Sequence, residues 1–272
     1  MTDQDSAAKQ TVTQALLASG FPFQTSIARL VRSVPGCESV KEEFPWQDDE
    51  DRFFDLIAFI HNFIVVVECK KTQKEIFTFL QPQLTQDLVI RSRCAHLFRS
   101  SEQAGIRSSF SYAEWFLMPR SHESAFCVVS TSESGKDQRL LERDAQLLVR
   151  GIDSTGTRMM HDRKVGFGAR VFVPIIVTNA KLFVARYDPE AVSLDTGQIP
   201  MTPAPELFPI EWVRFRKAFT ATYDPGLGDR TVFVVSANSL HKFLSALQWV
   251  DVGYGKQRQD ELEIHSVYLN PS

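Results

Sequence analysis

The chain has 272 residues, of which 43% are hydrophobic and 23% are charged. These proportions are ordinary for a soluble globular protein and exclude a wholly disordered chain, a collagen and a disulfide scaffold. The net charge of −3 provides no global positive field that would attract nucleic acid, so such binding needs a local basic patch. No apolar run is long enough to span a bilayer, and the acidic, polar start is not typical of a signal peptide. The sequence therefore predicts a cytoplasmic protein that does not bind a membrane.

The first third of the chain predicts two helices and three strands. Residues 6–19 favour a helix that ends at Gly20, and the apolar residues from Ile27 to Val34 have the spacing of a second helix. Three extended segments follow, at Ser39–Phe44, Phe53–Ile60 and Phe63–Glu68. Only two residues separate the last two segments, which predicts that they pair as a hairpin.

The middle of the chain, residues 86–165, predicts an inserted and largely helical segment. Lys74–Leu80, just before it, favours an amphipathic helix, and Gln86–Arg99 favours a basic helix. The elements that follow are a strand at Ala125–Ser130, a helix at Arg139–Ile152 and a loop at Ser154–Lys164.

The last third predicts mainly strands. Arg170–Thr178 and Lys181–Tyr187 are separated by two residues, which predicts a hairpin. Thr231–Val235 favours a further strand, Leu240–Trp249 favours a helix, and residues from 251 onwards are polar. Because no internal repeat or low-complexity linker divides the chain, the sequence predicts a single α/β domain.

Charged side chains interrupt two of the apolar strands. Asp55 lies within one predicted strand, whereas Glu68 and Lys70 end the next, with Cys69 between them. Alternate residues of a strand face the same side, so Glu68 and Lys70 share a face, and a hairpin brings Asp55 to the same end of the sheet. Two carboxylates, with the backbone carbonyl of Cys69 as a further ligand, suit Mg²⁺ or Mn²⁺, and the lysine can orient an attacking water. These are the components of metal-dependent phosphodiester hydrolysis, and the alternative is an ion pair at the end of the sheet.

These residues resemble the motif of the PD-(D/E)xK nuclease superfamily, with Asp55 as its Asp and Glu68-Cys69-Lys70 as its (D/E)xK. The resemblance implies a restriction-endonuclease-like α/β core, in which helices flank a central mixed sheet and a helical segment is inserted. The organisation expected for this single domain, residues 1–272, is helices and catalytic core strands in 1–85, the insertion in 86–165, a sheet extension and a helix in 166–250, and a polar tail in 251–272.

Two glutamines are candidates for supporting this site. Gln24 follows an aromatic-x-aromatic entry to a helix, where many members of the superfamily carry an acid, so it replaces a third carboxylate. Gln81 follows the motif, where some members place a glutamine near the metal, and a surface glutamine is the alternative.

Five basic residues are candidates for contacts with nucleic-acid phosphates, with a solvated face as the alternative for each: Arg91, Arg93, Arg158, Arg163 and Lys164. The resemblance implies a metal-dependent nuclease that acts on DNA, in the role of a bacterial defence or restriction effector. Because the net charge is weak, a partner subunit or a local basic patch is expected to supply much of the binding. The expected protein partner is such a subunit or further copies of this chain in a homo-oligomer. Two alternatives stay open: a catalytically weak nucleic-acid-binding or assembly subunit, and an RNase.

Overall fold

The computed structural model shows four α-helices and thirteen strands in the part of the chain that it describes. The helices are α1 (Asp3–Ala18), α2 (Phe21–Arg32), α3 (Leu140–His161) and α4 (Leu240–Ser245), with short 3₁₀ turns at Pro189–Ala191 and Ala237–Ser239. The strands are β1 (Cys37–Gln47), β2 (Arg52–Ile60), β3 (Phe63–Lys70), β4 (Ile76–Pro82), β5 (Val89–Glu102), β6 (Gly105–Ser124), β7 (Cys127–Ser130), β8 (Gly168–Thr178), β9 (Lys181–Tyr187), β10 (Glu206–Ile210), β11 (Trp212–Lys217), β12 (Arg230–Ser236) and β13 (Gln248–Trp249). The described residues are 3–47, 52–72, 76–83, 88–102, 105–130, 140–161, 168–200, 202, 204–219 and 228–250. Within these ranges, no helix combines the length and the hydropathy needed to cross a bilayer.

The first three strands form an antiparallel meander, which confirms the predicted pairing of Phe53–Ile60 with Phe63–Glu68. β1 pairs with β2, and β2 pairs with β3 from Leu56–Val67 to Ile60–Phe63. The interior of β3 is a continuous apolar run that is fully covered on both faces. Such a run is typical of parallel strands, and β3 does continue the sheet in parallel with β8.

Beyond β8 the sheet closes on itself. β8 is parallel to β12, β12 is antiparallel to β11, and β11 is parallel to β6. The long antiparallel pair of β5 and β6 completes the ring, because β5 also pairs with the start of β8. Five strands, β8, β12, β11, β6 and β5, therefore form a closed β-barrel. A second sheet has the strand order β10-β9-β4-β7.

The predicted α/β restriction-endonuclease-like core with an inserted helical segment is wrong. The described part of the chain is mostly β and contains the closed barrel. In their described parts, the predicted helices Lys74–Leu80 and Gln86–Arg99 are the strands β4 and β5. Each of these strands pairs with segments distant in sequence, and such pairing overrides the local helical spacing. The predicted insertion 86–165 therefore supplies two barrel strands, β5 and β6, together with β7 and α3.

The predicted hairpin of Arg170–Thr178 with Lys181–Tyr187 is also wrong, although both strands are present. β8 stays in the large sheet, whereas β9 enters the second sheet in parallel with β4. The chain also crosses from the large sheet to the second sheet between β3 and β4. Asn179 joins the two crossings, since its Oδ1 accepts a hydrogen bond from the Thr72 N–H at 2.7 Å and its Nδ2 donates to the Thr72 carbonyl at 3.0 Å.

Three further predictions differ from the structure or lie outside it. In its described part, Ser154–Lys164 is not a loop, because α3 continues to His161. The predicted helix Leu240–Trp249 ends at Ser245, and β13 pairs instead with Met118 and Leu117 of β6. The predicted polar tail, residues 251–272, lies outside the described residues.

Helices cover both faces of the sheet at β3. Val65 and Val67 of β3 pack in one apolar cluster with Val31 of α2 and Phe243 of α4. Val66 packs in the other cluster with residues of α3 such as Leu148. Because strand residues alternate between faces, the next residues on the α3 side are Glu68 and Lys70.

A fully buried arginine joins three strands of the barrel. Arg214 of β11 donates from Nε to Ser92 Oγ at 2.8 Å and from Nη1 to the Pro119 carbonyl at 3.1 Å. It also donates to the Ser121 hydroxyl and to the Leu117 carbonyl. Burial lowers the pKa of Arg214 to about 10, so the guanidinium keeps its charge at neutral pH and shares it among neutral oxygen acceptors.

Candidate functional site

Asp55 completes the ladder between β2 and β3 with its side chain. The last backbone pair at this end joins Leu56 to Val67, and beyond it the Cys69 N–H donates to Asp55 Oδ2 at 2.6 Å. In an extended strand the N–H and C=O of one residue point to the same edge. The Cys69 carbonyl is therefore directed to the same edge of β3 as this N–H, and its role as a metal ligand stays a prediction.

Glu68 and Lys70 face α3, and an acid from that helix meets the lysine. Lys70 Nζ lies 3.0 Å from Asp144 Oδ2. The Asp144 side chain is 7% exposed and the Lys70 side chain 24% exposed, so the acid is buried while the lysine keeps some contact with solvent. An ion pair held between a strand and the helix that covers it fixes the position of the ammonium group beside Glu68.

Gln24 of α2 contacts both Asp55 and a further acid, Glu43. Gln24 is buried on α2. Its Nε2 donates to Glu43 Oε1 at 2.5 Å and to the main-chain carbonyl of Asp55 at 3.1 Å. β1 thus places the Glu43 carboxylate against Gln24 and close enough to Asp55 to raise the pKa of that carboxyl. Glu43 has a φ of 49°, a left-handed conformation that is uncommon for a residue with a side chain.

Burial and neighbouring charges favour protonation of the two central carboxyls. Burial is the largest cause that raises the pKa of Glu68 to about 8; Asp55 and Asp144 raise it further, and Lys70 opposes them. Burial also raises the pKa of Asp55, against the lowering effect of the Cys69 N–H. Near neutral pH the pair therefore tends to retain a proton, which a cation bound between the carboxylates would displace.

The oxygen donors fit a divalent cation that keeps some of its water. Among the described residues, no group of three His, Cys, Asp or Glu side chains is placed to hold a metal alone. Mg²⁺ commonly binds through one or two carboxylates and completes its octahedron with water and substrate phosphate. Asp55, Glu68 and the Cys69 carbonyl match that incomplete ligand set, and the surplus of negative charge around them favours a cation.

The other predicted site residues lie elsewhere. Gln81 is on β4 of the second sheet, where its Oε1 is 2.9 Å from His122 Nδ1. Arg91 and Arg93 are on the barrel strand β5. Arg158 is exposed on α3, fourteen residues or roughly 21 Å along the helix from Asp144, and donates to the Pro45 carbonyl at 2.8 Å. The remaining two candidates, Arg163 and Lys164, lie outside the described residues.

Sequence reasoning missed Asp144 and Glu43. A signal for Asp144 was available, because it lies three residues after Leu141 and four before Leu148, on the apolar face of the helix. A carboxylate on such a face needs a buried partner. Glu43 carried no comparable signal, since its approach to Asp55 depends on its left-handed backbone conformation in β1.

Protein stability should depend on pH through Glu68. The folded-state pKa of about 8 exceeds the ordinary value of 4.5, so the folded chain binds the proton more tightly than the unfolded chain. The stabilisation is complete below pH 4.5 and is lost as the pH rises toward 8, at up to about 1.4 kcal/mol per pH unit. Glu68→Gln removes this dependence. Urea unfolding in EDTA at pH 5, 6.5 and 8 measures it, and wild-type and variant profiles that run parallel would contradict the assigned environment.

The chain was also compared with known proteins. Searches against models of protein families, curated proteins and solved structures found no match. What the site does is therefore inferred from its own residues and their geometry.

Proposed function

We propose that this protein is a metal-dependent phosphodiester hydrolase, a nuclease that acts on DNA in the cytoplasm as a bacterial defence or restriction effector. The observation that carries the proposal is the placement of Asp55 and Glu68 at the same end of neighbouring strands, with Lys70 on the face of Glu68. Partial burial of two acids and a lysine at the end of apolar strands costs free energy, and a role in cation-assisted hydrolysis of a phosphodiester would explain why these residues are there.

Each residue has a defined part in the proposed reaction. A bound Mg²⁺ or Mn²⁺ would neutralise charge on the scissile phosphate. Asp55 and Glu68 would hold the cation, and the Cys69 N–H keeps the Asp55 carboxylate in one orientation. Lys70 orients the attacking water and stabilises developing negative charge, while Asp144 fixes its ammonium group.

A catalytically weak nucleic-acid-binding or assembly subunit is the second candidate. The contact between Lys70 and Asp144 favours it, because a lysine already neutralised by a buried acid has less charge to offer a phosphate. The two candidates predict different outcomes in a cleavage assay.

The deciding experiment incubates the purified protein with duplex DNA, single-stranded DNA and RNA of the same sequence, each with Mg²⁺, Mn²⁺ or EDTA. We expect cleavage with either metal and none with EDTA. Cleavage of RNA alone would identify an RNase. Binding without cleavage under every metal condition would support the second candidate and contradict the first.

Asp144→Asn tests how Lys70 is positioned. The substitution keeps the size of the side chain but removes the charge that holds the ammonium group. We expect cleavage to fall about 10–100-fold, the usual cost of losing a residue that orients a group at a metal site. Loss of one acid beside Glu68 also lowers the pKa of Glu68, so the pH profile of cleavage should shift to lower pH.

Glu142→Gln is the matched control for that substitution. Glu142 lies two residues earlier on α3 and pairs with Lys217 at 3.7 Å. Its substitution should leave both the rate and the pH profile unchanged. If Asp144→Asn behaves like this control, Asp144 has no part in positioning Lys70.

A further inference from the structure

A small cleft lies between α3 and the ends of β2 and β3, and Glu68 is part of its wall. Its volume is about 170 Å³, and it is open to solvent on one side. Leu147 and Leu148 line it from the helix side, whereas Glu68 and Arg52, the first residue of β2, line it from the strand side. The cleft therefore brings a basic side chain other than Lys70 to the candidate metal site.

Arg52 extends over the face of the sheet that α3 covers. Alternate residues of a strand share a face, and Phe54, two residues later, packs in the same apolar cluster as Leu148 of α3. The Arg52 guanidinium also lies 5.9 Å from the centroid of the Trp46 ring, which belongs to that cluster. Arg52 and Glu68 are thus on the same face of the sheet, on neighbouring strands.

The indole ring beside the Arg52 guanidinium is held in place. Trp46 is 6% exposed and stacks on Phe54 with 5.9 Å between the ring centroids. The hydroxyl of Ser154 on α3 donates a hydrogen bond to the Trp46 carbonyl at 2.6 Å. An arginine that rests on a fixed aromatic ring loses less conformational freedom on binding a ligand, because part of its side chain is already ordered.

A phosphate that enters the cleft meets more acids than bases. Asp55, Glu68 and Asp144 lie close enough to affect one another, and Lys70 is already paired with Asp144 at 3.0 Å. A further positive charge on the strand side therefore favours binding of an anion. The planar guanidinium of an arginine can donate two parallel hydrogen bonds to phosphate oxygens, so Arg52 is suited to this contact.

We infer that the cleft is a phosphate subsite, in which Arg52 contacts a backbone phosphate of the nucleic acid whose scissile phosphodiester lies at Glu68. This inference rests on the proposed nuclease function and deepens it by adding a residue that binds the substrate. The open side of the cleft allows a strand to continue out of it. A nucleic-acid strand and free inorganic phosphate share the chemistry of the phosphate group, and separate arms of the test distinguish them.

The test measures binding separately from cleavage. Fluorescence anisotropy in EDTA follows a labelled single-stranded DNA, the same sequence as RNA, and the DNA duplex, over a range of salt concentrations. For the probe that wild type binds most tightly, Arg52→Gln should weaken binding by about 10-fold, the usual effect of losing one charge-assisted contact. The slope of log affinity against log salt should become shallower by about 0.7–0.9, because one counterion fewer is released. Arg52→Lys keeps the charge and should restore the slope.

Neutral substitutions in the probe identify the phosphate that Arg52 contacts. A methylphosphonate replaces one backbone phosphate at a time and removes its charge. At one position, the loss of affinity seen with wild type should be absent with Arg52→Gln, because the partner of that phosphate is already missing. If the variant instead responds to every position as wild type does, Arg52 only covers Trp46 and the inference is wrong. Where EDTA abolishes binding, the half-saturating concentration in single-turnover cleavage gives the same comparison.

Inorganic phosphate provides the second arm of the test. Added at the concentration of the probe and at constant ionic strength, it should not displace the probe from wild type. Displacement from wild type but not from Arg52→Gln would identify a site for free phosphate and overturn the assignment to a nucleic-acid strand.

The matched control is Arg170→Gln. Arg170 also lies over an aromatic ring, 5.7 Å from the centroid of Phe59. It is at the opposite end of the large sheet, where it donates to the His61 carbonyl at 3.2 Å. Its substitution should leave the affinity and the salt dependence unchanged. Circular dichroism checks that each variant folds.

The outcomes separate the two proposals. A position-specific effect of Arg52, in a protein that cleaves no probe with any metal, supports the phosphate subsite and overturns the nuclease. Metal-dependent cleavage, together with an Arg52→Gln variant that binds every probe as wild type does, supports the nuclease and overturns the subsite. Absence of both binding and cleavage for all three probes overturns both.

Discussion

Glu68→Gln is expected to reduce metal-dependent cleavage by about 10³-fold or more. The amide cannot replace the charge of a carboxylate ligand, and a metal positioned at a phosphate contributes several kcal/mol to stabilising the transition state. Asp55→Asn should have an effect of similar size, because Asp55 is the second carboxylate and is already oriented by the Cys69 N–H. Single-turnover cleavage of a labelled oligonucleotide, over a range of Mg²⁺ concentrations, measures both variants.

Lys70→Ala separates the roles within this site. It should reduce the single-turnover rate to a similar degree but leave the dependence on Mg²⁺ concentration close to that of wild type, because Lys70 does not bind the cation. The matched control is Glu42→Gln. Glu42 is adjacent to Glu43 in the sequence and pairs with Arg32 at 2.6 Å. Full activity in Lys70→Ala would contradict its role in orienting water, and full activity in both carboxylate variants would exclude the whole site.

Arg214→Met is expected to destabilise the folded protein by about 3–5 kcal/mol. Methionine fills much of the buried volume but leaves the Ser92 hydroxyl and the Pro119 and Leu117 carbonyls without their donor. Each buried polar group left unsatisfied costs about 1–3 kcal/mol, and breaking a buried charged network costs about 3–5 kcal/mol. Urea unfolding followed by fluorescence gives the difference.

Arg120→Met provides the comparison on an exposed position of β6, where the change should stay within about 0.5 kcal/mol. If Arg214→Met is as stable as Arg120→Met, the interior of the barrel tolerates loss of the arginine. Arg214 would then not be the element that joins β5, β6 and β11.

The sequence predicted the elements whose signals are local. Ile27 and Val31 recur at helical spacing, and α2 buries both. Two residues between Ile60 and Phe63 allow only a tight connection, and β2 and β3 pair there. The same two strands bring Asp55 to the end of β3 that carries Glu68, so the centre of the candidate site follows from a hairpin and strand alternation.

The barrel was not predictable in the same way, because it depends on pairing between distant segments. The closing pairs join Val171 of β8 to His96 of β5, and Phe233 of β12 to Ile175 of β8. In β4, the local sequence fits both a strand and a helix. The residues from Ile76 to Leu80 alternate between partly and fully buried, which is the two-residue period of a strand. Their apolar character also fits one face of a short helix.

The pairing of β3 with β8 also determines when the candidate site can form during synthesis. Lys70 pairs with Thr178, more than 100 residues later in the chain, and Asp144 also follows the motif by more than 70 residues. Contacts between such distant segments form slowly, because a long loop must close before they are gained. A nascent chain that ends before residue 140 carries Asp55, Glu68 and Lys70 but lacks the helix and the strand that hold them. Translation must therefore pass β8 before the charged groups are assembled, so truncated products retain the motif without a formed site.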